Sequence, residues 1–205
     1  MKKFLKVPGI LAVLAVVFVA IVILLTPRMD RWGATDAEIN ATFPGDELVP
    51  APASFVNRAV TINASPEEIH PWLIQMGAGK GGLYSYTAFE NMIGCKLVNA
   101  DRIHEEWQNL EVGDKVEMCP NGTPPAYIVA QIIPNEAIVM GHQEGGEWVD
   151  LWQFILIPQA DGSTRLILRT RTMMVGGFWD IIHPGVFVME RGLLLGVKER
   201  AENMQ

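Results

Sequence analysis

The chain has 205 residues and 22.7 kDa, which suits one globular domain with a short appendage and excludes a two-domain enzyme. Hydrophobic residues at 49% and charged residues at 19% exclude a disordered or collagen-like chain. Net charge is -7, and setting aside the leader lysines Lys2, Lys3 and Lys6 takes the balance of 16 basic against 23 acidic residues to -10, so nucleic acid is excluded as a partner.

From Val7 to Leu25 no side chain is charged or strongly polar. At ~1.5 Å per residue this stretch makes a helix of about 28 Å, close to the roughly 30 Å hydrocarbon layer of a bilayer. It ends Ile21-Val22-Ile23-Leu24-Leu25-Thr26-Pro27-Arg28, bulky to the last turn, where a cleaved signal peptide needs small residues at A-x-A spacing. Residues 7–26 therefore read as an uncleaved transmembrane anchor behind a basic flank at 1–6. Lys2, Lys3, Lys6 and the amino terminus outweigh Arg28 and Arg31 by one side chain and the amine. This favours a cytoplasmic N-terminus with the globular part outside.

Residues 27–53 carry Pro27, Pro44, Gly45, Pro50 and Pro52 and read as an extended linker running over a surface. The domain proper is expected at 54–205. Ser54–Ile62 reads as a strand, and Ser65-Pro66-Glu67-Glu68 starts a helix with a capping box and proline in the first turn. Ile69, Trp72, Leu73 and Met76 follow at helical spacing, with Pro71 tightening or kinking that helix. A short helix is expected near residues 86–93. Strands follow at 115–118, 126–133, 137–142, 147–158 and 163–173, and the short turns between them imply an antiparallel meander. Ile182, Val186, Met189, Leu193 and Val197 mark a long amphipathic terminal helix, which Pro184-Gly185 should break or bend near its start. Cys95 and Cys119 fit one disulfide or two inert thiols.

Several segments together resemble the START-like (SRPBCC) superfamily, in particular its bacterial polyketide cyclase/dehydrase-like branch. They are 32–35 (Trp-Gly-Ala-Thr), 44–46 (Pro-Gly-Asp), 65–68, 71–77 (Pro-Trp-Leu-Ile-Gln-Met-Gly), 81–86 (Gly-Gly-Leu-Tyr-Ser-Tyr), 99–103 (Asn-Ala-Asp-Arg-Ile), 164–166 and the tail from Met189 to Glu202. The resemblance spans about residues 32–203 and implies an α+β helix-grip fold. In that fold a curved antiparallel sheet wraps a long C-terminal helix and encloses a hydrophobic ligand cavity. It supplies no reaction, since function resides in the cavity residues rather than in the fold.

The run from Gly77 to Gly82 satisfies G-x-G-x-x-G but follows a helix, the wrong context for a dinucleotide site, and reads as a mobile loop over a cavity mouth. Asp101 and His104 sit in the densest ionisable cluster, with Glu105 and Glu106. Gln108 stands where a zinc-binding H-E-x-x-H would need its second histidine. His70, His142 and His183 are scattered. No cofactor and no metal are expected. Catalytic candidates are Asp101, His104, Tyr86 and Arg169, each set against a structural role.

Period-two reading places Trp148, Asp150, Trp152 and Phe154 on one strand face, with Arg169 on the neighbouring strand available to neutralise Asp150. Trp72, Tyr84, Tyr86, Trp179, Met189 and Leu193 complete the expected ligand-lining set. The leading function is a membrane-anchored binding protein for a small hydrophobic ligand: a lipid, isoprenoid or polyketide-like molecule. A cyclase or dehydratase acting in the same cavity, or an interaction module with a filled cavity, are the alternatives.

Overall fold

The structure is a computed structural model that describes residue 22, residues 24–92 and residues 94–203. Nearly all of the expected anchor at 7–26 lies outside the described residues. Among those described, no helix is long and apolar enough to cross a membrane. The first helix seen, α1, covers residues 24–30.

Six strands form one antiparallel sheet in the order β1-β6-β5-β4-β3-β2, as the turn spacing implied. They are β1 (Ser54–Ile62), β2 (Lys115–Val116), β3 (Tyr127–Ile133), β4 (Ala137–Glu144), β5 (Glu147–Pro158) and β6 (Thr164–Thr172). Gly145 and Gly146 both take positive φ, the turn geometry that matches the twist of a two-residue hairpin between β4 and β5. β1 closes the sheet by pairing along its whole length with β6.

The helices are α2 (Asp36–Asn40), α3 (Pro66–Ile74), α4 (Thr87–Met92) and α5 (Phe178–Glu202). α3 starts as expected, with Ser65 and Glu68 bonding each other's backbone N–H groups. α5 runs unbroken through Pro184, so of the expected break or bend the break does not occur. The carbonyl of Asp180, four residues earlier, loses its helical partner there, and Asp180 is exposed to solvent.

The inner sheet face supplies Ile138, Met140, Phe154, Leu156, Leu166 and Leu168 to the main core, against Trp72 and Leu73 of α3 and Leu193, Leu194 and Val197 of α5. Trp72, Phe154, Ile138, Met140, Leu194 and Val197 show no accessible surface, so no water-sized void touches them. The hollow expected between sheet and helix is thus filled beneath the C-terminal half of α5. This mixed α+β arrangement, an antiparallel sheet against a long C-terminal helix, fits a helix-grip fold.

The outer sheet face is covered by the segment expected as a linker. α2 lies within it, started by a capping box between Thr35 and Glu38. Three arginines of β6 fasten the segment down. Arg165 pairs with Glu38 and donates to the Gly33 carbonyl. Arg169 pairs with Asp46 at 2.6 Å and donates to the Asn57 side chain and the carbonyls of Ala41 and Glu38. Arg171 donates to the carbonyls of Val49 and Pro50. Arg169 also lies against the rings of Phe43 and Phe55, 4.3 and 4.8 Å from their centres.

Candidate functional site on the inner face of the sheet

Trp152 and Asp150 project from β5 onto the inner face, and His142 projects beside them from β4. The β4–β5 hairpin shifts register at this point: Gln143 pairs with Trp148 but His142 pairs with Asp150, leaving Val149 over. The shift is fixed by a side chain. His142 donates its backbone N–H to Asp150 Oδ1 at 2.7 Å, so a carboxylate substitutes for a ladder carbonyl.

The same carboxylate holds the imidazole, with His142 Nδ1 at 2.9 and 3.0 Å from its two oxygens. The hydrogen bond that the ring donates to Asp150 pushes the His142 pKa up from its ordinary value, against the opposing effect of burial. Its Nε2 is 3.4 Å from the Pro125 carbonyl. Tyr127, at the start of β3, meets the rings of both His142 and Trp152, with ring centres 4.3 and 5.2 Å away. Burial, with the charge of Asp150 adding to it, holds the Tyr127 phenol well above its ordinary pKa, so the hydroxyl stays neutral. His142 and Tyr127 are half-buried, unlike the core beneath the far half of α5.

A buried ionic chain continues from Trp152. Its Nε1 donates to Glu190 Oε1 on α5 at 3.0 Å, and Glu190 pairs with Arg58 of β1. Arg58 donates to the Met29 carbonyl at 2.8 Å and stands 3.8 Å from Asp30, which itself lies 2.6 Å from His183 Nε2. Burial lowers the Arg58 pKa to about 10, with Asp30 working in the opposite direction. Burial likewise raises that of Asp30, against the pull of His183 and Arg58.

Of the expected ligand-lining residues, the structure brings Asp150, Trp152 and Phe154 together, the two rings 4.7 Å apart and edge to face. Trp148 departs: the register shift turns it to the outer face, among Leu48, Val49 and Leu151. Arg169 also departs, because its strand position faces outward and Asp46, not Asp150, is its partner. Trp72 and Leu193 are core residues. Trp179 is exposed at the start of α5, and the carbonyl of Met189 accepts from the Ser85 hydroxyl.

Tyr84 and Tyr86 border a separate open cleft of about 290 Å³ against α5, shared with Asn99, Glu199 and Arg200. The Tyr84 hydroxyl donates to the Trp72 carbonyl, and burial raises its pKa to about 12. The Gly77–Gly82 run is a pinned turn rather than a free loop, since those two residues exchange both backbone hydrogen bonds. Asp101 and His104 belong to an exposed turn in which His104 stacks on Trp107 at 4.0 Å and bonds Glu106 at 3.1 Å. Among the described residues no group of three His, Cys, Asp or Glu side chains is placed to hold a metal.

Sequence reasoning missed Tyr127 and the pairing of His142 with Asp150. Tyr127 alternates with the core residue Val129 on β3, a readable signal. The pairing depends on an extra residue in β5 that no pattern announces.

No family model matches the chain, and no curated protein matches it. Solved structures do resemble it. The Aha1 dimer from Colwellia psychrerythraea is 18% identical, with a TM-score of 0.47 over 73% of this chain and 96% of that one. The self-sacrificing resistance protein CalC from Micromonospora echinospora is 11% identical, with a TM-score of 0.48 over 73% of this chain and 95% of that one.

Proposed function

We propose that the chain is a membrane-anchored binding protein for a small hydrophobic ligand with one polar end, taken up at the half-buried end of the inner sheet face. One observation carries this reading. The Tyr127 ring meets both Trp152 and His142, and His142 is held by Asp150, which sets an aromatic cluster beside a fixed polar pair. Ligand sites combine these two elements, aromatic area for affinity and a few placed polar groups for orientation. Residues 7–26 anchor the domain, with the N-terminus cytoplasmic and the body outside. The disulfide between Cys95 and Cys119 supports that sidedness, because such bonds persist in oxidising compartments.

Native mass spectrometry of the full chain extracted in mild detergent tests the reading. A co-purifying small molecule is expected in the wild type and its loss in Tyr127→Ala. Wild-type protein that is repeatedly empty, and that takes up no fluorescent fatty acid, refutes it.

The His142–Asp150 pair favours a second reading, a cyclase or dehydratase acting on the same ligand. His142, held at Nδ1 by Asp150 and raised in pKa, carries a proton on Nε2 toward the Pro125 carbonyl that it can hand to a ligand oxygen as a general acid, and Tyr127 offers a neutral hydroxyl beside it. Turnover of the co-purified molecule that is lost in His142→Gln, with its binding retained, would distinguish the enzyme from the binding protein.

A further inference from the structure

The N-terminal half of α5 packs poorly against the body. Phe178, Trp179, Ile181, Val186 and Val188 are exposed, as are Met173 and Val175 in the connection from β6. Ile181 is 78% exposed, and the rings of Phe178 and Trp179 meet edge to face at 5.7 Å. So concentrated an apolar surface marks an interaction site rather than scattered surface hydrophobes.

The position of α1 identifies what covers it. Asp30, the last residue of α1, lies 2.6 Å from His183 of α5, and the preceding carbonyl of Met29 is held by Arg58. Leu24 and Leu25 are exposed on α1, and they end the uncharged stretch that begins at Val7. From Leu25 to Asp30 a helix rises only about 8 Å. The end of the apolar stretch is therefore fastened within two helical turns of the exposed face of α5. Phenylalanine and tryptophan together are the residues that settle at the lipid–water boundary.

We infer that the N-terminal half of α5, with residues 173–177, lies in the interface of a lipid bilayer beside the anchor. This rests on the reading of residues 7–26 as a membrane anchor. The domain is thereby held in one orientation, with the Asp150 end of the sheet toward the lipid, since Asp150 pairs with Thr172 immediately before that connection.

The test uses the full chain in phosphatidylcholine vesicles, with a nitroxide on Ile181→Cys and, separately, on Asp161→Cys. Asp161 sits in the turn at the other end of β6, which at roughly 3.3 Å per residue is about 30 Å away. Labelling without reductant leaves the Cys95–Cys119 bond closed. Flotation of vesicles after an alkaline carbonate wash reports the anchor separately. The expected result is flotation, together with an oxygen-to-nickel collision ratio at 181 severalfold above that at 161. Flotation with equal ratios at both positions overturns the inference and leaves the anchor standing. Failure to float overturns both. Spin–spin broadening at 181, with shielding from both reagents, overturns the inference in favour of a second copy of the chain on this face.

Discussion

Replacing Glu190 with glutamine keeps an acceptor for Trp152 Nε1 and removes only the negative charge facing Arg58. Arg58 is 1% exposed, its remaining hydrogen-bond partner among the described residues is the Met29 carbonyl, and Asp30 at 3.8 Å is beyond hydrogen-bonding reach. Stripping the partner from a buried ion costs about 3–5 kcal/mol. The residual attraction of Asp30 places Glu190→Gln at the lower end, about 3 kcal/mol, which for a domain of this size lowers Tm by roughly 6–12 °C. The Arg58→Met/Glu190→Gln double variant removes both charges and keeps an acceptor for Trp152 Nε1, so it is expected to recover most of that loss. Urea unfolding at neutral pH, followed by tryptophan fluorescence, measures all three proteins. A Glu190→Gln loss below about 1 kcal/mol, or a double variant as unstable as the single, refutes the account of a desolvated, mutually dependent pair.

Two further outcomes follow from titration. Glu90 is 4% exposed, neither carboxylate oxygen has a partner among the described residues, and burial raises its pKa to about 6. A carboxyl raised in the fold favours the native state when protonated, and that advantage is lost as pH rises from its ordinary 4.5 through about 6. Glu90→Gln is therefore expected to stabilise by at most about 2 kcal/mol at pH 8 and to change little at pH 4, which paired urea curves would read. A gain of equal size at both pH values contradicts this.

The second concerns the His142 pKa, raised by its bond to Asp150, so that pair stabilises fully below the ordinary histidine value of about 6.5 and less as pH climbs through the folded value. Asp150→Asn should accordingly cost more at roughly pH 5.5 than at roughly pH 8.5. Thermal melts that show the same loss at both would reject the assignment.

The strands were readable because each alternates apolar residues between short turns, and β5 spans Glu147–Pro158, the bounds its pattern marked. The pairing of β1 with β6 was not readable, since about a hundred residues separate them and no local signal records the contact. The site was legible only in part. Asp150 and Trp152 followed from period-two reading, but Trp148 did not, because the register shift beside Val149 reverses its face. A count back from the Gly145–Gly146 turn places His142 opposite Val149, not Asp150, so the pair was out of reach. Arg169 was noticed in sequence, but its partners are mostly backbone carbonyls, as are those of Arg171, and carbonyls carry no residue signature.

The strapping of residues 33–50 across the outer face has a mechanical meaning. Left loose, residues 27–53 would form a leash reaching about 90 Å when fully drawn out. Fastened as they are, they give the domain almost no slack: what joins the body to the chain before it is the short stem of α1. Anything that fixes the start of α1 in place therefore fixes the body as well, within a few residues of it.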